Sequence, residues 1–136
     1  MQQRVAALIV KKGKVLIARR SEGRTQAGLW EFPWGTCNPD EAPEECLERN
    51  LVDVMGLNVA IGGRFALRSY GDVRLLAYWA QWQEGNFSLS GHDELAWAGP
   101  EELSSYEFMP MDVFLVEKLI RQGMGGTAGD SKAIGG

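Results

Sequence analysis

The run from Pro43 to Gly56 constrains the fold more than any other stretch of this chain. Pro43 suits a first helical position, where its missing N–H would be unpaired in any case. Glu44 and Glu45 put negative charge at the positive end of the helix dipole, and Gly56 supplies the stop. Leu47, Leu51 and Met55 recur every fourth residue, so they form one apolar stripe that must face a core. Arg49, Asn50 and Asp53 occupy the opposite flank.

The neighbouring segments predict the surface that this stripe covers. Arg4 to Val10 and Val15 to Ala18 are apolar runs around Lys11-Lys12-Gly13-Lys14, which predicts a hairpin. Ser21 to Ala27 reads as a loop and Leu29 to Phe32 as a short strand. After Gly56, Leu57 to Ile61 and Arg64 to Ser69 predict one strand interrupted at Gly62-Gly63, with a turn at Tyr70-Gly71-Asp72. Val73 to Gln83 is rich enough in large apolar groups to be a central strand covered on both faces. Glu84 to Gly91 is a predicted loop, and Pro100 to Leu103 a helical turn. From Met111 to Arg121 the apolar residues return at helical spacing, opened by Pro110-Met111-Asp112. The expected fold is α/β, a mixed sheet sandwiched between two helices.

With 136 residues, 45% of them hydrophobic, the chain fits one domain over residues 1–122. Residues 123–136 hold six glycines and no core-forming run, which predicts a flexible tail with no assigned role. A net charge of −4 argues against a nucleic-acid polymer as partner, although seven of the 14 basic residues precede Thr25. That local bias is either two solvated strand faces or a field that attracts phosphates. Cys37 and Cys46 have no CxxC spacing and the chain has one histidine, so reduced thiols in a cytoplasmic protein are expected. No apolar run near the start is long enough for a signal peptide or membrane span, so no membrane partner is expected.

One longer pattern remains. Gly35, five residues, Glu41, seven residues, then Arg49, Leu51, Gly56 and Leu57 fall in the register of the Nudix box, written Gly-x5-Glu-x7-Arg-Glu-U-x-Glu-Glu-x-Gly-U with U a bulky aliphatic. The preceding Gly-Leu-Trp-Glu-Phe-Pro also resembles the lead-in of MutT-like Nudix proteins. The resemblance implies a Nudix-like α/β/α sandwich and Mg²⁺-dependent hydrolysis of a nucleoside triphosphate or related nucleoside diphosphate derivative. The box is degenerate, however. Asn50, Asp53 and Val54 stand where the family has three glutamates, and Trp34-Gly35-Thr36 replaces the usual Gly-Gly-Lys. Mg²⁺ prefers anionic oxygen ligands, and here one helix carboxylate remains.

Carried over residue by residue, the resemblance implies Asp53, Glu94 and Arg49 as catalytic residues. Asp53, Glu94 and a loop carbonyl at Trp34 become the candidate metal ligands, with Glu94 in a loop before the last strand. Arg20, at the end of the second hairpin strand, would reach the phosphates, Tyr78 would stack on the base, and Asp112 would hydrogen-bond it. Gly35, Glu41 and Gly56 would be structural, with Arg49 bracing the loop through Glu41. Plainer uses stay open: Arg20 as an exposed strand cap, Tyr78 in the core, Glu94 as a solvated acid and Asp112 as an N-cap. The readings are an impaired pyrophosphohydrolase, a silent nucleotide-binding module, or a partner-binding domain; a homodimer is compatible with all three.

Overall fold

A computed structural model describes residues 2–84 and 91–124. The predicted loop at 84–91 and the glycine-rich tail therefore lie largely outside the described residues. Two helices pack on opposite faces of a mixed sheet, as the two apolar stripes require.

Strand β1 (Gln2–Lys11) turns at Lys12-Gly13 into β2 (Lys14–Arg20). The short strand predicted at Leu29 to Phe32 is β3 (Trp30–Glu31), and the start of the box loop forms a further strand, β4 (Trp34–Thr36); Pro33, with no N–H for a continuous ladder, separates the two. Helix α1 (Pro43–Met55) follows, then β5 (Asn58–Tyr70), β6 (Val73–Glu84), β7 (His92–Ala98) and α2 (Val113–Gln122). Single 3₁₀ turns at Leu103–Ser105 and Pro110–Asp112 precede α2. The register of β5 against β6 shifts between Ile61 and Arg64, where the sequence places Gly62-Gly63.

β1 is the hub. It pairs parallel with β6 along one edge, antiparallel with β4 at its start and with β2 at its end. β2 then carries β3 and β7. Alternation along β1 divides the core. Val5, Ala7 and Ile9 meet the α1 stripe of Leu47, Leu51 and Met55, while Ala6 and Leu8 join Phe32, Phe108, Leu115 and Leu119 on the α2 face. Each fully buried α1 leucine contributes about 1.5 to 3 kcal/mol to holding the helix on the sheet.

Helix α1 is stopped as its sequence predicts. Gly56 has φ 67°, and Gly56 N donates to Val52 O and Leu57 N to Leu51 O, the paired closure that a left-handed C-terminal residue permits. At the other end Glu45 Oε1 accepts from Ala42 N at 3.3 Å.

Candidate functional site

The box loop joins β4 to α1 and is held by its own side chains. Arg49 donates through Nε to Glu41 Oε2 at 2.5 Å and through Nη2 to Glu41 Oε1 at 2.8 Å, a bidentate pair. Glu41 Oε1 also accepts from Asn38 N at 3.1 Å. The Arg49 guanidinium, with Asn38 N, holds the Glu41 carboxyl down at about 2. A carboxylate whose folded pKa is depressed contributes stability above its unfolded pKa and loses it as the folded group protonates. The wild type should therefore lose melting temperature between about pH 4.5 and pH 2, and Glu41→Gln should flatten that part of the profile.

Gly35 is a glycine because of what lies on it. The side chain of Asn50 covers its α-carbon so closely that any Cβ there would overlap Asn50 Cγ. Asn50 is further fixed by Nδ2 donating to Cys46 O at 2.9 Å. Its amide is thus turned back along α1.

The other two box positions point outward. Asp53 is 62% exposed, with Arg49 Nη1 3.9 Å from Oδ2. Val54 is 39% exposed; it does not join the core edge beside Leu47 and Leu51 as its proximity to that stripe suggests. Trp34 and Thr36 fall at the positions of the β1–β4 ladder whose backbone groups turn away from β1. The Thr36 carbonyl accepts from Arg49 Nη2 at 3.4 Å, and the Trp34 carbonyl is directed to the same side.

Glu94 is placed elsewhere. It lies within β7, not in a loop, opposite Arg19 of β2, and its carboxylate is 3.4 Å from Arg19 Nη1. Alternation with Ala96 and Ala98 puts it on the α2 side of the sheet, whereas Asp53 sits on α1. The described structure therefore does not bring Glu94 and Asp53 together.

Arg20 and Tyr78 are also more enclosed than a substrate contact requires. Arg20 is 6% exposed, donating to Glu31 Oε1 at 2.9 Å and to Thr25 O at 2.8 Å. Tyr78 is buried in the α1-side core, packed with the helix stripe. The plainer reading of Tyr78, a core ring, fits this burial.

Asp112 is buried and lines a small pocket with Arg4, Glu31, Trp34, Leu75, Met109 and Met111. Its Oδ2 accepts from Phe32 N at 3.0 Å, so it is held by β3's continuation rather than capping α2. Burial pushes its carboxyl up to about 7, against the Phe32 hydrogen bond that favours the charge.

The residue that sequence reasoning passed over is Glu31. It is 1% exposed and accepts from Arg20 and from Trp34 Nε1 at 3.0 Å, with His92 Nε2 2.8 Å from Oε2. Burial opposes its charge, yet His92 and Arg20 together hold its carboxyl below the usual range. An acid between Trp30 and Phe32 in an apolar strand was the available signal. Trp34 closes the network, with the Arg4 guanidinium 4.5 Å from its ring centre.

The cysteines correct the sequence expectation. Cys37 and Cys46 form a disulfide, not reduced thiols. Spacing along the chain did not reveal it because the fold brings the end of β4 against the second turn of α1, with α-carbons 5.4 Å apart.

Among the described residues no helix is long and apolar enough to cross a membrane.

These features agree with comparisons to known proteins. The NUDIX domain family profile matches residues 4–118. CTP pyrophosphohydrolase of Escherichia coli strain K12 is 33% identical over 117 residues, covering 83% of this chain and 87% of that protein. A putative 8-oxo-dGTP diphosphatase 2 of Mycobacterium tuberculosis strain H37Rv is 32% identical over 133 residues, covering 93% and 92%. The solution structure of the E. coli ORF135 protein superposes with a TM-score of 0.73 at 32% identity, covering 89% of each chain. With the box register, the sandwich and a profile spanning most of its length, the chain belongs to the Nudix family, among its MutT-like members.

Proposed function

We propose that the chain binds a nucleoside triphosphate or related diphosphate and hydrolyses it slowly or not at all. The observation that carries this reading is the contrast between two places in the fold, a polar pocket on the α2 side of the sheet and the outer flank of α1. The Glu31–Asp112 pocket is small, about 30 Å³, hydrogen-bonded, and lined by Trp34 and Arg4, with room for the edge of a base and not for the whole ring. The three box positions that should supply metal ligands instead offer Asn50 with its amide turned to Cys46, an exposed Val54 and a single carboxylate at Asp53, which shares an open surface cleft with Glu45 and Glu48. Nudix hydrolases generally use a divalent metal such as Mg²⁺. That donor set does not fit an ion demanding near-octahedral oxygen ligands.

In this reading Asp112 faces the base, and its ionised form, present above about pH 7, accepts from an exocyclic amino group, favouring cytosine or adenine over a bare carbonyl edge, while Glu31 is held by Arg20, Trp34 and His92 behind it. Arg4 lies beside them as the half-buried cation lining the pocket, a more accessible group for phosphate than the enclosed Arg20. Tyr78 is left to the core.

The test is a thermal-shift panel of nucleotides with Mg²⁺ or Mn²⁺, read in parallel as release of pyrophosphate and phosphate. Stabilisation by cytosine or adenine nucleotides with little turnover is expected, and Asp112→Leu should weaken binding by about tenfold or more by removing a buried acceptor. Absence of any nucleotide shift would leave only a partner-binding domain.

A further inference from the structure

We propose that Cys37–Cys46 is a redox-operated latch on the box loop, opened by a dithiol that attacks Cys37 and expels Cys46. The bridge spans a sequence separation of nine residues and closes the segment that carries Glu41. Without it, that segment keeps the Glu41–Arg49 pair, the Asn38 contact to Glu41, and Cys37 N donating to Gln3 O at 2.9 Å.

Access to the two sulfurs is unequal. Cys46, a residue of α1, is fully buried in the core between the helix and the sheet. Cys37 is half-buried and lines an open surface cleft with Gln2, Gln3, Thr36, Asn38 and Pro39. An incoming thiolate therefore meets Cys37 first.

The leaving sulfur has a prepared partner. Asn50 Nδ2 lies 3.6 Å from Cys46 Sγ while donating to Cys46 O. A neutral N–H donor favours the thiolate that forms as the bond breaks, whereas the glutamate of the family's box at this position would oppose it. The substitution that removes a metal donor thus supplies a donor to Cys46. Glu41 also lies near both sulfurs, but its oxygens are committed to Arg49 and Asn38, so the sulfurs serve as a redox pair rather than as metal ligands.

The exchange balances as a two-electron transfer. The thiolate of the dithiol bonds to Cys37 Sγ, the S–S electron pair leaves on Cys46, and that thiolate takes a proton from water. The second thiol of the reagent then displaces Cys37, giving two cysteine thiols and a cyclic disulfide. The proposal goes beyond the nucleotide reading and does not depend on it.

The test uses the full chain without nucleotide, titrated with dithiothreitol at neutral pH under native conditions. Free thiols are counted by alkylation and mass spectrometry, and melting is followed in parallel. Two thiols should appear without denaturant, with Cys37 alkylated first, and the melting temperature should fall by roughly 5 to 15 °C. Reoxidation should restore it, and Cys37→Ser should show no dithiothreitol-dependent shift. Asn50→Asp should slow reduction by about threefold or more while still melting cooperatively. A bridge that resists the reagent until the chain unfolds, thiols released with no change in melting, or wild-type reduction kinetics in Asn50→Asp would each overturn the latch.

Discussion

Replacing Asn50 and Val54 together by glutamate should yield a chain that binds Mg²⁺ and hydrolyses a nucleoside triphosphate, read as pyrophosphate release, at least about a hundredfold faster than the unmodified protein. The size follows from charge: each tenfold in rate is about 1.36 kcal/mol of barrier, and a correctly ligated divalent ion supplies several kcal/mol at a phosphoryl centre. Val54 is exposed on α1, so a glutamate there meets water rather than core and needs no repacking. Position 50 is tighter, because its side chain lies against Gly35. A glutamate at 50 has one more methylene than asparagine with which to clear the glycine. Loss of its amide also removes the contact to Cys46 Sγ, so the comparison belongs under constant redox conditions. Single changes should give much smaller gains, since one added carboxylate still leaves the set short. Metal binding by calorimetry and pyrophosphate release together check this expectation; no gain in either, in a folded double variant, would show that Trp34 or the loop blocks the site.

Arg20→Ala should be the most destabilising substitution outside the hydrophobic core, by about 3 to 5 kcal/mol. Arg20 and Glu31 are both nearly fully enclosed and 2.9 Å apart. Deleting Arg20 leaves a buried carboxylate that has lost its enclosed guanidinium partner and keeps the contact to His92 Nε2. The remaining Trp34 donor and Arg24, at 3.8 Å, offset part of the loss. Chemical denaturation should show a lower midpoint with an unchanged slope. Restoring the balance with Glu31→Gln in the Arg20→Ala background should recover part of the stability, which a purely steric role for Arg20 would not explain.

The sandwich was legible because its signals are local. Leu47, Leu51 and Met55 have helical spacing, Gly56 has the left-handed conformation that glycine favours, and Lys12-Gly13 makes the hairpin turn. The Glu41–Arg49 brace was legible from the box register alone, and the bidentate contact is there. What was not legible depends on which groups distant segments bring together. Glu31 meets Arg20, His92 and Trp34 through three separate strands, so no spacing reveals it. Glu94 was placed by its distance from Trp97, but strand alternation turns it toward Arg19 and away from α1. Arg20 has the sequence position of a phosphate contact and the burial of a structural ion pair. The disulfide escaped because thiol pairing depends on where β4 ends against α1, which no local pattern encodes.

The central claim is that the substituted box does not hold Mg²⁺. Calorimetric titration of the unmodified, oxidised protein with Mg²⁺, first alone and then with a saturating non-hydrolysable cytosine or adenine nucleotide, tests it most directly. No saturable Mg²⁺ binding is expected at micromolar concentration without nucleotide, and weak, nucleotide-dependent binding with it. Micromolar Mg²⁺ binding by the protein alone, abolished by Asp53→Asn, would contradict it.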